Sequence, residues 1–216
     1  MQNISIEIIS DIVCPWCYVG LGHLRRAIAL TEGRSPGSSQ QIQIGWSPYM
    51  LNPHLPAEGV SRRDYLVGKF GTPTPGYFSS VQAAALAVGL PMHLDRIQTQ
   101  PNTLGAHMLV AAAGDQAHAM TDRLFEAFFV EGQNLAARET LLKLAESVGI
   151  DQHRAEAILN DPLLAKRVAH IAHEWQEHGV SGVPTFVLSA QGRQQVLPGA
   201  VSATVLLEAF SALGGL

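Results

Sequence analysis

Ser10-Asp11-Ile12-Val13-Cys14-Pro15-Trp16-Cys17 stands between a strand pattern and a helix pattern, and the rest of the chain is read outward from this junction. Upstream, Ile4, Ile6 and Ile8 alternate and Ile9 extends the run, which predicts a strand over Ile4–Ile9. Downstream, Cys17, Leu21, Leu24 and Ile28 recur at helical spacing and form one face. Pro15 suits a first helical turn, where its missing N–H would have no partner in any case. The motif therefore sits at a helix N-terminus.

Beyond a loop at Gly33–Ser39, Gln41–Trp46 alternates with Ile42, Ile44 and Trp46 on one face, a second strand. Strand, helix, strand is the connection that a parallel pair requires. The middle differs. Asn52–Gly59 is rich in turn formers, and Ser61 three residues before Asp64 marks a helix start. Helices are predicted over Arg62–Phe70, Tyr77–Val88, Thr103–Ala113, Met120–Val130, Arg138–Val148 and Gln152–Leu159. A longer one follows, with Asp161 as N-cap, Pro162 first and Gly179 as its stop. The tail returns to strands: Thr185–Ser189, a turn at Gln191-Gly192, and Gln194–Leu197. A closing helix runs over Ser202–Leu213. The expected class is α/β. Residues 1–55 and 179–216 form one core, and 56–178 a helical insertion whose last helix returns to it.

The chemistry lies in Cys14 and Cys17. A thiolate at a helix N-terminus meets unpaired N–H groups and the positive end of the macrodipole, which favour the charged form. Cys14, at or just before the first turn, is expected to be exposed and activated. Cys17, one turn in, points partly inward and resolves the mixed disulfide that Cys14 forms. Competing readings are half of a zinc site, a pair of inert core thiols, and a structural disulfide. Zinc needs two further ligands, and the chain has no third cysteine. His23 falls on roughly the opposite face of the helix. A disulfide closing so short a loop stabilises little.

The whole chain narrows the function. Its 216 residues, 47% hydrophobic, can bury a core without disulfide staples. A net charge of −4 argues against a nucleic-acid binder. No run approaches eighteen apolar residues, so no membrane partner is expected. Met1–Asp11 lacks the pattern of a secretory leader, and two cysteines three residues apart have only a local use, so the expected compartment is the cytoplasm.

A second signal is Gly179-Val180-Ser181-Gly182-Val183-Pro184-Thr185-Phe186. A proline opening a strand after a β-branched residue is a candidate cis bond. With this added, the chain resembles the DsbA-like thioredoxin-fold family. Residues 10–18, Tyr49–Pro56, Asn102–Met108 and Leu124–Leu135 are similar to its FrnE-type branch. The resemblance implies a thioredoxin fold with a large all-α insertion. It also implies that Pro184 is a cis-proline facing the cysteines, and that the backbone of Val183 pairs with an extended substrate. The implied activity is thiol–disulfide exchange with protein or small-molecule thiols, without metal or organic cofactor, and with glutathione as a possible substrate.

The resemblance extends to 2-hydroxychromene-2-carboxylate isomerases and kappa-class glutathione transferases. These carry serine where this chain has Cys14, and they supply a glutathione-dependent alternative. A thiol-sensing or holdase-like binding protein is the alternative outside catalysis. Trp16 replaces the histidine of periplasmic relatives and brings no positive charge, which implies a milder oxidant.

Asp11 is read either as acceptor of the Cys17 proton or as a turn residue. Asn102 is an N-cap and a candidate near the substrate. His170, His173 and His178 read as helix-surface histidines. Phe125, Phe128 and Phe129 read as helix core, or as the wall of a groove above the cysteines. Arg62-Arg63 reads as a solvated surface pair.

Overall fold

The structure, a computed structural model, describes residues 3–34, 41–71, 76 and 78–214. Strand β1 (Asn3–Ser10) pairs in parallel with β2 (Gln41–Pro48), with Ile4, Ile6 and Ile8 opposite Ile42, Ile44 and Trp46. On its other edge it pairs antiparallel with β5 (Thr185–Ala190), which forms a hairpin with β6 (Arg193–Pro198). The order β2-β1-β5-β6 brings the two ends of the chain into one sheet. This is the DsbA-like thioredoxin fold with its helical insertion.

Between β1 and β2 runs helix α1 (Pro15–Arg34), two residues into the predicted loop; the remainder of that loop, 35–39, lies outside the described residues. One face of the sheet, Ile4, Ile6, Ile8, Phe186 and Leu188, is buried with Leu24 and Ala27 of α1 and with Leu206 and Phe210 of the last helix, α9 (Ala203–Ala212). The start of α1 belongs to a second core. There Cys17, Tyr18, Val19 and Leu21 join the apolar face of the insertion. The predicted α1 face therefore divides lengthwise: Cys17 and Leu21 serve one core, Leu24 the other.

The insertion contains α2 (Arg62–Phe70), α3 (Ser79–Ala87), α4 (Leu104–Ala112), α5 (Ala117–Phe129), α6 (Arg138–Ser147), α7 (Gln152–Leu159) and α8 (Pro162–Glu177). Most match their predicted spans within one or two residues. Helix α5 begins three residues before the predicted Met120, continuing a 3-10 turn at Gly114–Gln116, and Tyr77, the predicted start of α3, lies outside the described residues. Phe125, Phe128 and Phe129 are fully buried, and Tyr18 stacks on Phe125 and Phe129 at 5.6 and 5.3 Å. That contact fastens the start of α1 to the insertion.

Helix α8 starts as its sequence dictates: the Asp161 carboxylate accepts from the N–H groups of Leu163 and Leu164, with Pro162 first in the helix. Its Trp175 indole N–H donates to Ser47 Oγ on β2 at 2.9 Å. Two further strands, β3 (Val60–Ser61) and β4 (Thr99–Gln100), pair antiparallel. At two residues each they have no periodicity to read. Among the described residues no helix is long and apolar enough to cross a membrane.

Gly20 marks where α1 passes under the loop before β5. A Cβ there would lie 2.9 Å from Pro184 Cγ and 3.2 Å from Phe186 Cζ, and both of these side chains are buried. Gly20→Ala gains about 1 kcal/mol of helix propensity and costs about 1–3 kcal/mol of overpacking. The expected net is a loss of about 1 kcal/mol, read as a melting temperature lower by about 2–4 °C. An unchanged or higher melting temperature would show that the loop yields freely.

Candidate active site

The turn after β1 is closed by its own backbone. Cys14 N–H donates to the Asp11 carbonyl at 3.0 Å, and the Cys14 carbonyl accepts from Cys17 and Tyr18 N–H at 3.0 and 3.3 Å. Cys14 is thus the residue that caps α1, with Pro15 first in the helix and Cys17 third. Both cysteines are free thiols.

Cys14 is not exposed as expected; it is 5% exposed and Cys17 3%, while Trp16 between them is 43% exposed. The cover comes from a segment distant in sequence: Cys14 Sγ lies 3.4 Å from the Val183 carbonyl. The Val183–Pro184 peptide is cis. Its loop is braced by Tyr49 Oη donating to the Val180 carbonyl at 3.4 Å and by Thr185 Oγ1 donating to the Gly182 carbonyl at 2.9 Å. Gly199 N–H takes the Pro184 carbonyl at 2.7 Å, while Val183 N–H has no backbone partner among the described residues.

Burial pushes the Cys17 thiol well up, and the neighbouring Cys14 sulfur pushes it further; the Ser10 hydroxyl and the Asp11 backbone oppose the shift. Cys17 is therefore held as the neutral thiol. Brief alkylation of the reduced protein should label Cys14 first, with Cys17 reacting appreciably only in strongly alkaline solution. Mass mapping reads the order, and preferential labelling of Cys17 would reverse the two roles.

Asp11 is fully buried. One carboxylate oxygen accepts from Leu51 N–H at 2.8 Å, and the other lies 3.3 Å from His107 Nε2. The contact Asp11 offers the Cys17 sulfur is through its backbone. Asn102 donates to the Leu55 carbonyl at 2.7 Å and accepts from Leu104 N–H at 3.0 Å, but the N-cap of α4 is Thr103, one residue beyond the expected position. It lines a separate cavity of about 350 Å3 with His54 and His173. His170 and His173 pair with Glu174 and Glu177 on the surface of α8, and His178 Nδ1 lies 2.7 Å from the Glu174 carbonyl. Among the described residues no three His, Cys, Asp or Glu side chains are grouped to hold a metal ion.

Beside Trp16 opens a groove of about 360 Å3, walled by Val13, Pro15, Asn52, Arg62, Tyr65 and Lys69. Arg62 is not the solvated residue expected; it is 9% exposed, whereas Arg63 is exposed. Pairing of β3 with β4 sets Gln100 against the start of α2, and Arg62 donates to the Gln100 side chain. Its guanidinium lies 6.0 Å from the Tyr65 ring centre, and Lys69 Nζ donates to Tyr65 Oη at 2.8 Å. Two cations and no acidic side chain line this groove among the described residues, in a protein of net charge −4. Nothing within the local sequence signals this, because Gln100 is 38 residues from Arg62.

A family model described as the DSBA-like thioredoxin domain matches residues 5–211. The structure of a probable DsbA oxidoreductase of Streptomyces coelicolor superposes with a TM-score of 0.83 at 27% identity, covering 98% of this chain and 90% of that one. The cytosolic disulfide reductase DsbM of Pseudomonas aeruginosa superposes at 0.59 with 25% identity, over 89% and 88%, and a second structure of it holds glutathione. A 2-hydroxychromene-2-carboxylate isomerase matches at a TM-score of 0.61 over 97% and 94%; at 18% identity that likeness is one of fold.

Proposed function

Because the chain belongs to the DSBA-like thioredoxin domain family, we propose that it is a thiol–disulfide oxidoreductase working through Cys14 and Cys17. The observation that carries this reading is the dithiol at the head of α1, with Cys14 Sγ against the Val183 carbonyl. Cys14 attacks a disulfide sulfur, releasing one thiol and leaving a mixed disulfide. Cys17, one turn away, attacks Cys14 and expels the second thiol. The Val183 backbone pairs with an extended substrate in this reading, which its N–H supports by having no backbone partner among the described residues. Trp16 is exposed and, with Pro15 beside it, forms part of the wall of the basic groove. The cytoplasmic setting belongs to the same proposal and is supported by the cytosolic reductase among the similar structures.

The groove favours substrates that carry an anionic group near the sulfur, such as glutathione mixed disulfides. The reduced protein should turn over insulin and a glutathionylated peptide. Lys69→Glu should raise KM for the glutathionylated peptide by about 3- to 10-fold and leave kcat on a neutral mixed disulfide unchanged. Absence of both insulin reduction and deglutathionylation would refute the proposed activity. An unaltered KM would refute only the role of the groove.

A further inference from the structure

Tyr49 is the first residue past β2, and its hydrogen-bonding groups reach three different parts of the molecule. Its N–H donates to the Ser10 carbonyl at 3.0 Å, which carries the β1–β2 pairing one residue further. Its carbonyl faces His107 Nε2 of α4 at 3.1 Å, and the same nitrogen lies 3.3 Å from the Asp11 carboxylate. Both partners are acceptors, so Nε2 carries the hydrogen and shares it between them. The other Asp11 oxygen accepts from Leu51 N–H at 2.8 Å. The segment Tyr49–Leu51 is thereby fixed to the end of β1 and to α4, and Tyr49 is buried there. From this fixed place its hydroxyl crosses 131 residues of sequence to donate to the Val180 carbonyl at 3.4 Å.

Val180 is where the loop between α8 and β5 is gripped. Its N–H donates to the Trp175 carbonyl at 2.9 Å, and the Trp175 indole is tied to Ser47 Oγ at 2.9 Å. Both grips trace to the end of β2, through Ser47 and Trp175 on one side and through Tyr49 on the other. From the β5–β6 side, Thr185 Oγ1 and Gly199 N–H hold the Gly182 and Pro184 carbonyls. Gly179 takes the left-handed φ of 85° that turns the chain out of α8. Ser181 and Gly182 are exposed, and a Cβ on Gly182 would meet nothing within 4 Å. With so little apolar packing, the place of the loop is set by its polar ties. Val183 follows directly, its carbonyl 3.4 Å from Cys14 Sγ.

We propose that Tyr49 is a positioning residue for polypeptide substrates: its hydroxyl, by holding the Val180 carbonyl, sets the Val183 backbone where an extended chain can pair with it while its disulfide meets Cys14. The inference rests on the dithiol exchange proposed above. Tyr49 acts through Val180, on docking and not on the sulfur chemistry. A polypeptide disulfide needs the Val183 N–H and carbonyl held at a fixed place relative to Cys14. A small disulfide with no flanking backbone needs only access to the sulfur. The protein therefore distinguishes the two, and loss of one hydroxyl should erase part of that distinction.

Two mixed disulfides of thionitrobenzoate separate docking from chemistry, one on the cysteine of a short extended peptide and one on N-acetylcysteine amide. The reduced protein should release the coloured thionitrobenzoate from both. In Tyr49→Phe, which keeps the ring, the half-saturating concentration of the peptide should rise by about 3- to 10-fold, while its maximal rate stays within about twofold. Attack on the N-acetylcysteine amide disulfide should hold or rise, because a loosened loop uncovers Cys14. A peptide N-methylated on either side of its cysteine cannot pair. It should bind the unmodified protein more weakly, and Tyr49→Phe should then cost little more. An unaltered half-saturating concentration, equal losses on both disulfides, or full additivity of substitution and methylation would overturn the positioning role. If Tyr49→Phe fails to fold, Trp175→Phe, which releases the other grip on the loop, decides by the same comparison. Failure of the unmodified protein to release thionitrobenzoate from either disulfide would instead refute the exchange activity.

Discussion

Cys14→Ser should abolish insulin reduction, with the rate falling at least about 10³-fold to the uncatalysed background. Serine keeps the size of the side chain and can still donate to the Val183 carbonyl, which Cys14 Sγ approaches at 3.4 Å. The fold should survive, and an unchanged circular dichroism spectrum would show that it does. What is lost is the sulfur nucleophile, since a hydroxyl cannot form a mixed disulfide. Retention of more than a few per cent of the activity would move the chemistry away from Cys14 and remove the main support for dithiol exchange.

The second large effect separates the proposed dithiol exchange from the activity of a 2-hydroxychromene-2-carboxylate isomerase, whose fold this chain shares. In Cys17→Ser the first thiol still attacks, but nothing one turn away expels the substrate. A covalent adduct between Cys14 and an insulin chain should accumulate on non-reducing gels, and steady turnover should fall by about two orders of magnitude or more. Neither form should isomerise a chromene carboxylate in the presence of glutathione. An isomerase must hold the glutathione sulfur without losing it, and a resolving thiol at high effective concentration would strip it off. Strong isomerase turnover that persists in Cys17→Ser, beside negligible disulfide reduction, would install the isomerase reading instead.

The features legible in the sequence are those written in short-range periodicity. Alternating Ile4, Ile6 and Ile8, the Asp161–Pro162 helix start and the Arg138–Ser147 helix depend on neighbours a few residues away. What escaped notice depends on distant partners. Cys14 sits at the expected helix head, yet its burial is supplied by Val183, 169 residues on. Arg62 is buried because β3 meets β4, two strands too short to show a pattern. His107 reads as one more residue on an apolar helix until Asp11 and Tyr49 are seen against it. Asp11 itself was legible as a residue of interest, but not the direction of its carboxylate, which both Leu51 and His107 contact.

The closing of one sheet by the two ends of the chain has a consequence during synthesis. The thiol pair leaves the ribosome ahead of its cover at Val183, which follows 169 residues later. At ordinary elongation rates that interval is roughly 10 to 30 s. Throughout it β1 has no β5 partner, and the Ile4, Ile6 and Ile8 face lacks Phe186, Leu188 and α9. The nascent polypeptide thus presents an unguarded dithiol on an unfinished scaffold. Capture by a passing disulfide in that window would produce a conjugated chain before the sheet closes, so a reducing surrounding would suit its biogenesis.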